Sequence, residues 1–224
     1  MPWNPIPKTL NASEPAPNLA DYAAARAAFS WIDAHAERAG LPDGGLNIAF
    51  EAVDCWVVAG QGETIALRWL GKNGERRDFS YAELARLSNQ FANSLERLGI
   101  RPGDRVCILA GRIPELYITA LGTLKAGAVF CPLFSAFGPD PVRVRLANSR
   151  ARVLVTTTLL YQRKVRELRN LLPDLEFVLL TDGDGGEPAV HAFHGLLDAE
   201  SDCRPAPRTR PEDWALLHFT SGTT

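Results

Sequence analysis

RVCILAGRIPELYITALGTLKAGAVFCPL, residues 105–133, alternates two apolar runs with one helical run. Arg105 to Ala110 is apolar and too short for a buried helix. It follows the turn Arg101-Pro102-Gly103-Asp104 and reads as a buried strand. Pro114 stands where a helix begins, because its missing N–H is one a first turn leaves unbonded anyway, and Glu115 suits the positive end of the helix dipole. Lys125-Ala126-Gly127 closes that helix with a cation and a glycine. Ala128 to Leu133 is a second strand. Two strands joined by one helix must cross over and lie parallel in the same sheet.

The same alternation continues in both directions. Downstream, Pro139 or Asp140 opens a helix to Asn148, Arg152 to Thr156 is a strand, Leu159 to Leu172 a basic helix, and Leu175 to Leu180 a strand. The expected fold is α/β: a largely parallel sheet with helices on both faces. Residues 181–190 and 201–212 are Gly-, Asp-, Pro- and Arg-rich connections, and His191 to Glu200 reads as one short helix. Upstream, Ser80-Tyr81-Ala82-Glu83 is a capping box that opens a helix with Leu84, Leu87, Phe91, Leu95 and Leu98 on one face, ended by Gly99. Before it, Glu63 to Leu70 and Glu75 to Phe79 flank Gly71-Lys72-Asn73-Gly74 as a β-hairpin. Leu46 to Val58 has helical periodicity. Asn18 is placed to cap a single helix from Leu19 to about Ala39, and residues 1–18 are a proline-rich lead-in. These readings divide the chain into an extended and helical lead-in, 1–60, and an α/β part, 61–224.

Composition excludes several classes. Hydrophobic residues are 46%, charged residues 22%, and the net charge is −2, values of a globular protein without the basic footprint of a nucleic-acid or anionic-membrane binder. The cysteines at 55, 107, 131 and 203 form no CxxC pair and no metal-ligand spacing. Cys107 and Cys131 lie in apolar runs and read as buried thiols of a reducing compartment. Met1-Pro2-Trp3-Asn4-Pro5 lacks the basic and apolar regions of a signal peptide. Leu116 to Phe134 is too interrupted by Gly122, Lys125, Gly127 and Pro132 to span a membrane. The expected location is the cytoplasm, with no nucleic-acid and no membrane partner.

Trp214 to Thr224 carries the chemistry. The apolar residues to Phe219 have strand character and run into Thr220-Ser221-Gly222-Thr223-Thr224, a cluster of hydroxyls and backbone N–H groups around a glycine. Such a concave array of donors holds phosphate oxygens; the plain alternative is an ordinary Ser/Thr/Gly loop. His218 reads as a buried, hydrogen-bonded histidine. Ser221 lacks the second glycine of a nucleophile elbow, since Phe219 stands at that place. His191 and His194 read as a surface pair, and no metal ligand or catalytic side chain is placed by spacing. The basic stretch Arg163-Lys164-Val165-Arg166 with Arg169 is either a solvated helix face or a partner for an anionic group.

Trp214 to Thr224 resembles the first half of the phosphate-binding signature of the adenylate-forming superfamily, cut after its Thr-Thr pair. Further blocks resemble the AMP-forming acyl-CoA synthetases in order: Asn47 to Asp54, Tyr81 to Asn89, Gly99 to Val106, Arg112 to Tyr117, Leu121 to Gly127, Pro132 to Phe137, Arg145 to Ser149 and Val153 to Thr157. The match is strongest with the acetate-using branch, the acetyl-CoA synthetases. Cys55-Trp56 departs from the Arg-His that the family often has after the aspartate. The resemblance implies ATP, Mg2+ and coenzyme A as cofactors, and acetate as the most fitting small carboxylate. It implies that Thr220, Ser221, Gly222, Thr223 and Thr224 hold ATP phosphates. It places Phe134, Ser135 and Ala136, with Arg163 and Arg166, beside coenzyme A. The acid, adenine and ribose sites of the family would lie beyond Thr224. The expectation is an N-terminal portion of a ligase that is inactive by itself. The rival readings are a non-catalytic binding or dimerisation module and an adenylating enzyme with another acid.

Overall fold

The structure is a computed structural model that describes residues 19–220. The chain divides into two compact units between Ala39 and Gly40, whereas the sequence reading divides it after residue 60.

In the first unit the sequence predicts one helix and the structure has two short ones, α1 (Tyr22–Ala28) and α2 (Trp31–Ala36). Asp21 caps α1 by accepting from Ala24 N, and Ser30 caps α2 by accepting from Ile32 N. Phe29 is extended between them, so the cap at Ser30 divides the run that the spacing treats as continuous. Asn18, the expected cap, lies outside the described residues.

The second unit begins with helical backbone from Ile48 to Val58, as the periodicity predicts. It widens to π turns over Phe50–Asp54 and returns to α3 (Cys55–Val58). Two tethers fix this segment to the sheet unit. Asn47 Nδ2 donates to Leu124 O at 2.8 Å and to Thr209 Oγ1 at 3.0 Å. Lys125 Nζ donates to Asp54 Oδ1 at 2.7 Å. These contacts are why residues 40–60 belong with the α/β part.

Next come the antiparallel strands β1 (Ile65–Leu70) and β2 (Arg76–Ser80), which form the expected hairpin. Ser80 Oγ accepts from Glu83 N at 3.2 Å and starts α4 (Tyr81–Arg97). Gly99 follows at φ +77°, a conformation that glycine adopts without steric cost. The chain then alternates strand and helix: β3 (Arg105–Ala110), α5 (Pro114–Lys125), β4 (Val129–Phe134), α6 (Pro139–Ser149), β5 (Val153–Thr156), α7 (Thr158–Lys164), β6 (Phe177–Leu180), β7 (Val190–Ala192) and α8 (Phe193–Asp198).

The strands β3 to β7 form one parallel sheet in the order β4-β3-β5-β6-β7. Its residues alternate between two cores. Cys107, Leu109, Cys131, Leu133, Leu154 and Val178 share one face with Val142 and Leu146 of α6 and Tyr161 of α7. Val106, Ile108, Val153, Val155 and Leu179 share the other with Phe91 and Leu95 of α4, Ile118 of α5 and Phe193 of α8. Both faces are buried, which is why these strands read as apolar runs rather than alternating ones.

Three expectations need correction. The helix predicted over 159–172 ends at Lys164, because Val165 leaves helical backbone at φ −130°; tight 3-10 turns continue over Arg166–Leu171. The start of the short helix predicted at His191 is instead β7, which pairs with β6. The run 214–219 is not a full strand. It meets β4 at a single parallel bridge, Phe130 with Leu216, where Phe130 N donates to Ala215 O and Leu217 N to Phe130 O, each at 2.9 Å. Among the described residues no helix is long and apolar enough to cross a membrane.

Candidate functional site

In parallel sheets with flanking helices, ligands gather beyond the carboxyl ends of the strands, where loops and turns replace the ladder. Here that edge lies just past Ala110, Phe134, Thr156 and Leu180, the last residues of β3, β4, β5 and β6. The parallel bridge at Leu216 sends the last described segment the same way. Phe134 and Thr220 each stand four residues beyond a bridge partner, Phe130 and Leu216. Residues 215, 217 and 219 are half-buried and 214, 216, 218 and 220 exposed, the period of a strand resting one face on a core. His218 is therefore exposed, not the buried histidine the sequence suggested, since the alternation turns it outward. Thr220 ends the described segment. Ser221, Gly222, Thr223 and Thr224 lie outside the described residues.

Phe134, Ser135 and Ala136 form a turn at the end of β4, closed by Phe137 N donating to Phe134 O at 3.1 Å. The Phe134 side chain is 64% exposed, high for an aromatic ring. Phe137 meets it edge to face, with ring centroids 5.5 Å apart. The expected arginines are differently engaged. Arg163 is exposed on α7, and Arg166 pairs with Glu187, Nε to Oε1 at 2.8 Å. Glu187 also accepts from Tyr161 OH at 3.0 Å; burial first, and that carboxylate second, push the Tyr161 phenol up from its ordinary range. The side chain of α7 that reaches the turn is Lys164. Its ammonium donates to Ser135 O at 2.7 Å and Phe137 O at 2.6 Å. Composition flagged the basic stretch but could not single out this lysine.

Arg145 of α6 carries no signal of a site in the sequence, yet it lies at the centre of this edge. It is 6% exposed, and its guanidinium lies over the Phe137 ring at 4.1 Å and faces the Phe219 ring at 5.7 Å. At the neighbouring strand end, Asp182 Oδ1 accepts from Thr158 N at 2.6 Å and Thr158 Oγ1 at 2.8 Å, which fixes the start of α7. The edge thus presents an exposed aromatic ring, a cation-clamped turn and a segment that ends, among the described residues, at Thr220. That combination suits a ligand with a flat base and several anionic oxygens.

The family model described as "AMP-binding enzyme" matches residues 55–224. The chain belongs to the AMP-binding enzyme family. It is 34% identical over 220 residues to an acetyl-coenzyme A synthetase of Bacillus subtilis, a match that covers 97% of this chain and 38% of that protein. It is 33% identical to an acetyl-coenzyme A synthetase of Deinococcus radiodurans, covering 88% of this chain and 32% of that protein. The chain thus spans roughly a third of the length of such curated relatives. Among solved structures, an acyl-CoA synthetase of Brucella canis superposes with a TM-score of 0.79 at 29% identity, over 91% of this chain and 36% of that one. An anthranilate CoA ligase in complex with anthranoyl-AMP shares the fold, with a TM-score of 0.70 at 23% identity, over 82% of this chain and 33% of that one.

His191 and His194 do not act as a pair. His191 is in β7 against the Phe177 ring, whereas His194 on α8 bonds Glu115, Nε2 to Oε1 at 3.2 Å. Among the described residues no group of three His, Cys, Asp or Glu side chains is placed to hold a metal ion.

Proposed function

We propose that this chain forms part of an AMP-forming acyl-CoA synthetase that uses a small carboxylate, acetate fitting best. In the first half-reaction a carboxylate oxygen attacks the α-phosphorus of ATP, which gives the acyl-adenylate and pyrophosphate. In the second, the thiol of coenzyme A attacks the acyl carbon, loses its proton and releases AMP. In this reading Thr220 to Thr224 hold the β- and γ-phosphates through backbone N–H groups and hydroxyls, a task of positioning rather than covalent chemistry. The turn Phe134-Ser135-Ala136 offers the exposed Phe134 ring to the coenzyme A nucleotide. Arg163, and Arg166 once it leaves Glu187, supply cations for its phosphates. The proposed location is the cytoplasm.

The observation that carries the reading is the convergence of the 134–137 turn and the segment entering Thr220 at the carboxyl edge of the parallel sheet. The identity to acetyl-coenzyme A synthetases over nearly the whole chain supports acetate. The test is isotope exchange between pyrophosphate and ATP, with acetate, propionate, butyrate and benzoate, by the protein encoded by the complete reading frame that contains residues 1–224. Acetate-dependent exchange followed by acetyl-CoA formation is expected. Exchange with another acid alone overturns the substrate, and no carboxylate-dependent exchange overturns the ligase. The 224-residue chain assayed alone is expected to be inactive, because it carries no residues assigned to the acid or adenine.

A further inference from the structure

The turn after β4 and the segment entering Thr220 are remote in sequence, yet one side chain touches both. Arg145 projects from α6, where its Nη1 donates to Pro141 O at 3.0 Å. That bond aims the flat face of the guanidinium at two rings. Phe137, on the turn, lies 4.1 Å from its central carbon, and Phe219, next to Thr220, lies 5.7 Å away. Both rings are half-buried against the core that contains Val142 and Leu146 of the same helix. A guanidinium is planar and weakly hydrated, so it stacks on aromatic faces where an ammonium would keep its water. Phe137 is held from a second side as well, since its carbonyl accepts from Lys164 Nζ at 2.6 Å. The turn is thereby anchored to α7 through its backbone and to Phe219 through its ring.

We propose that Arg145 is a positioning residue that couples the 134–137 turn to the segment delivering residues 220–224. The coenzyme A loop and the phosphate loop of the proposed function are then set by one cation between two rings. This inference rests on that function only for the identity of the ligands. The coupling itself is a property of the chain.

The first test therefore needs no ligand. Amide hydrogen exchange is measured by NMR at Phe137 and Leu217 in the 224-residue chain and in R145M, F137L and the double variant. Leu217 N bonds Phe130 O and so reports whether the last segment stays on β4. F137L is expected to speed exchange at Leu217 about tenfold, the scale of one desolvated cation–π contact, and to add nothing once Arg145 is gone. R145K keeps the charge without the flat stack; it should fall between wild type and R145M, and serves if R145M does not fold. R143M alters a neighbouring arginine that pairs with Asp140, and should leave both amides unchanged. Unaltered exchange at Leu217 in F137L, or additive effects in the double variant, overturns the coupling. The second test uses the complete protein. R145M is expected to raise KM for ATP in pyrophosphate exchange and KM for coenzyme A in thioester formation, each several-fold, with kcat little changed and R145K partly restoring both. A lower melting temperature with both KM values unchanged overturns the positioning role. A wild type without exchange activity removes the ligase reading and leaves the amide result standing.

Discussion

Lys125 carries its charge into a place where 2% of its side chain meets solvent. Asp54 Oδ1 at 2.7 Å, Asn89 Oδ1 at 2.8 Å and Ala85 O at 3.3 Å accept its three protons. Burial lowers its pKa from the ordinary lysine range, and Asp54 partly restores it. Removing one member of such a set leaves a poorly solvated charge behind. K125M is expected to cost about 3 kcal/mol in urea unfolding, and D54N/K125M less than the sum of the single changes. His194 gives the opposite kind of case, half in water. The bond to Glu115 raises its pKa, burial works against that, Asp198 adds to the rise and Arg77 opposes it. On the Glu115 side burial, the largest influence, raises the carboxyl pKa, but the His194 bond, the bond from its own backbone N–H and the nearby His194 and Arg77 charges together outweigh it, and the net direction is down. A raised histidine contributes stability below its unfolded pKa, about 6.5, and loses it as pH climbs through the folded value. Stability should therefore fall above about pH 6.5 by roughly 0.5 kcal/mol, the scale of an exposed ion pair. Urea midpoints against pH for wild type and H194A check this; an H194A curve that keeps the slope assigns it to another group.

At the scale of elements, α4 and α5 approach closely at Gly122. A methyl group there would lie 2.8 Å from Ser88 O and 2.7 Å from Phe91 Cδ1. G122A is expected to cost about 1–3 kcal/mol by forcing the helices apart, despite alanine's better helix propensity. Denaturant unfolding with an unchanged m-value is the check. Loss of the Ser80 cap in S80A should cost about 1 kcal/mol by the same assay. The elements most legible in the sequence were those with a local signal: the capping box at Ser80, the Gly99 stop and the strand–helix alternation from Arg105 to Thr156. The strand β7 was hidden because three residues show no period, and only pairing with β6 makes them a strand. The break at Phe29–Ser30 was hidden by periodicity that runs across it. For the candidate site, the turn at 134–136 and Thr220 were legible as segments. Arg145 and Lys164 were not, because their roles depend on which rings and carbonyls the crossovers bring beside them.

At the scale of the molecule, the sheet grades from a sealed centre to an open margin. β3 and β5 are paired on both sides and almost wholly buried, whereas residues 215–217 hold to β4 through two hydrogen bonds. Amide exchange in the 224-residue chain should be slowest at Val106–Leu109 and Val153–Val155 and much faster at Leu217. Equal protection at Leu217 and Ile108 would contradict that gradient. The same seal has a consequence for the sulfur atoms. Cys107 and Cys131 are paired in register on neighbouring strands, each with 0% exposure, whereas Cys203 is exposed. A thiol-specific reagent should thus modify Cys203 at once and reach Cys107 and Cys131 only when β3 and β4 part. The late phase of such labelling clocks the opening of the sheet itself, with no probe added to the chain.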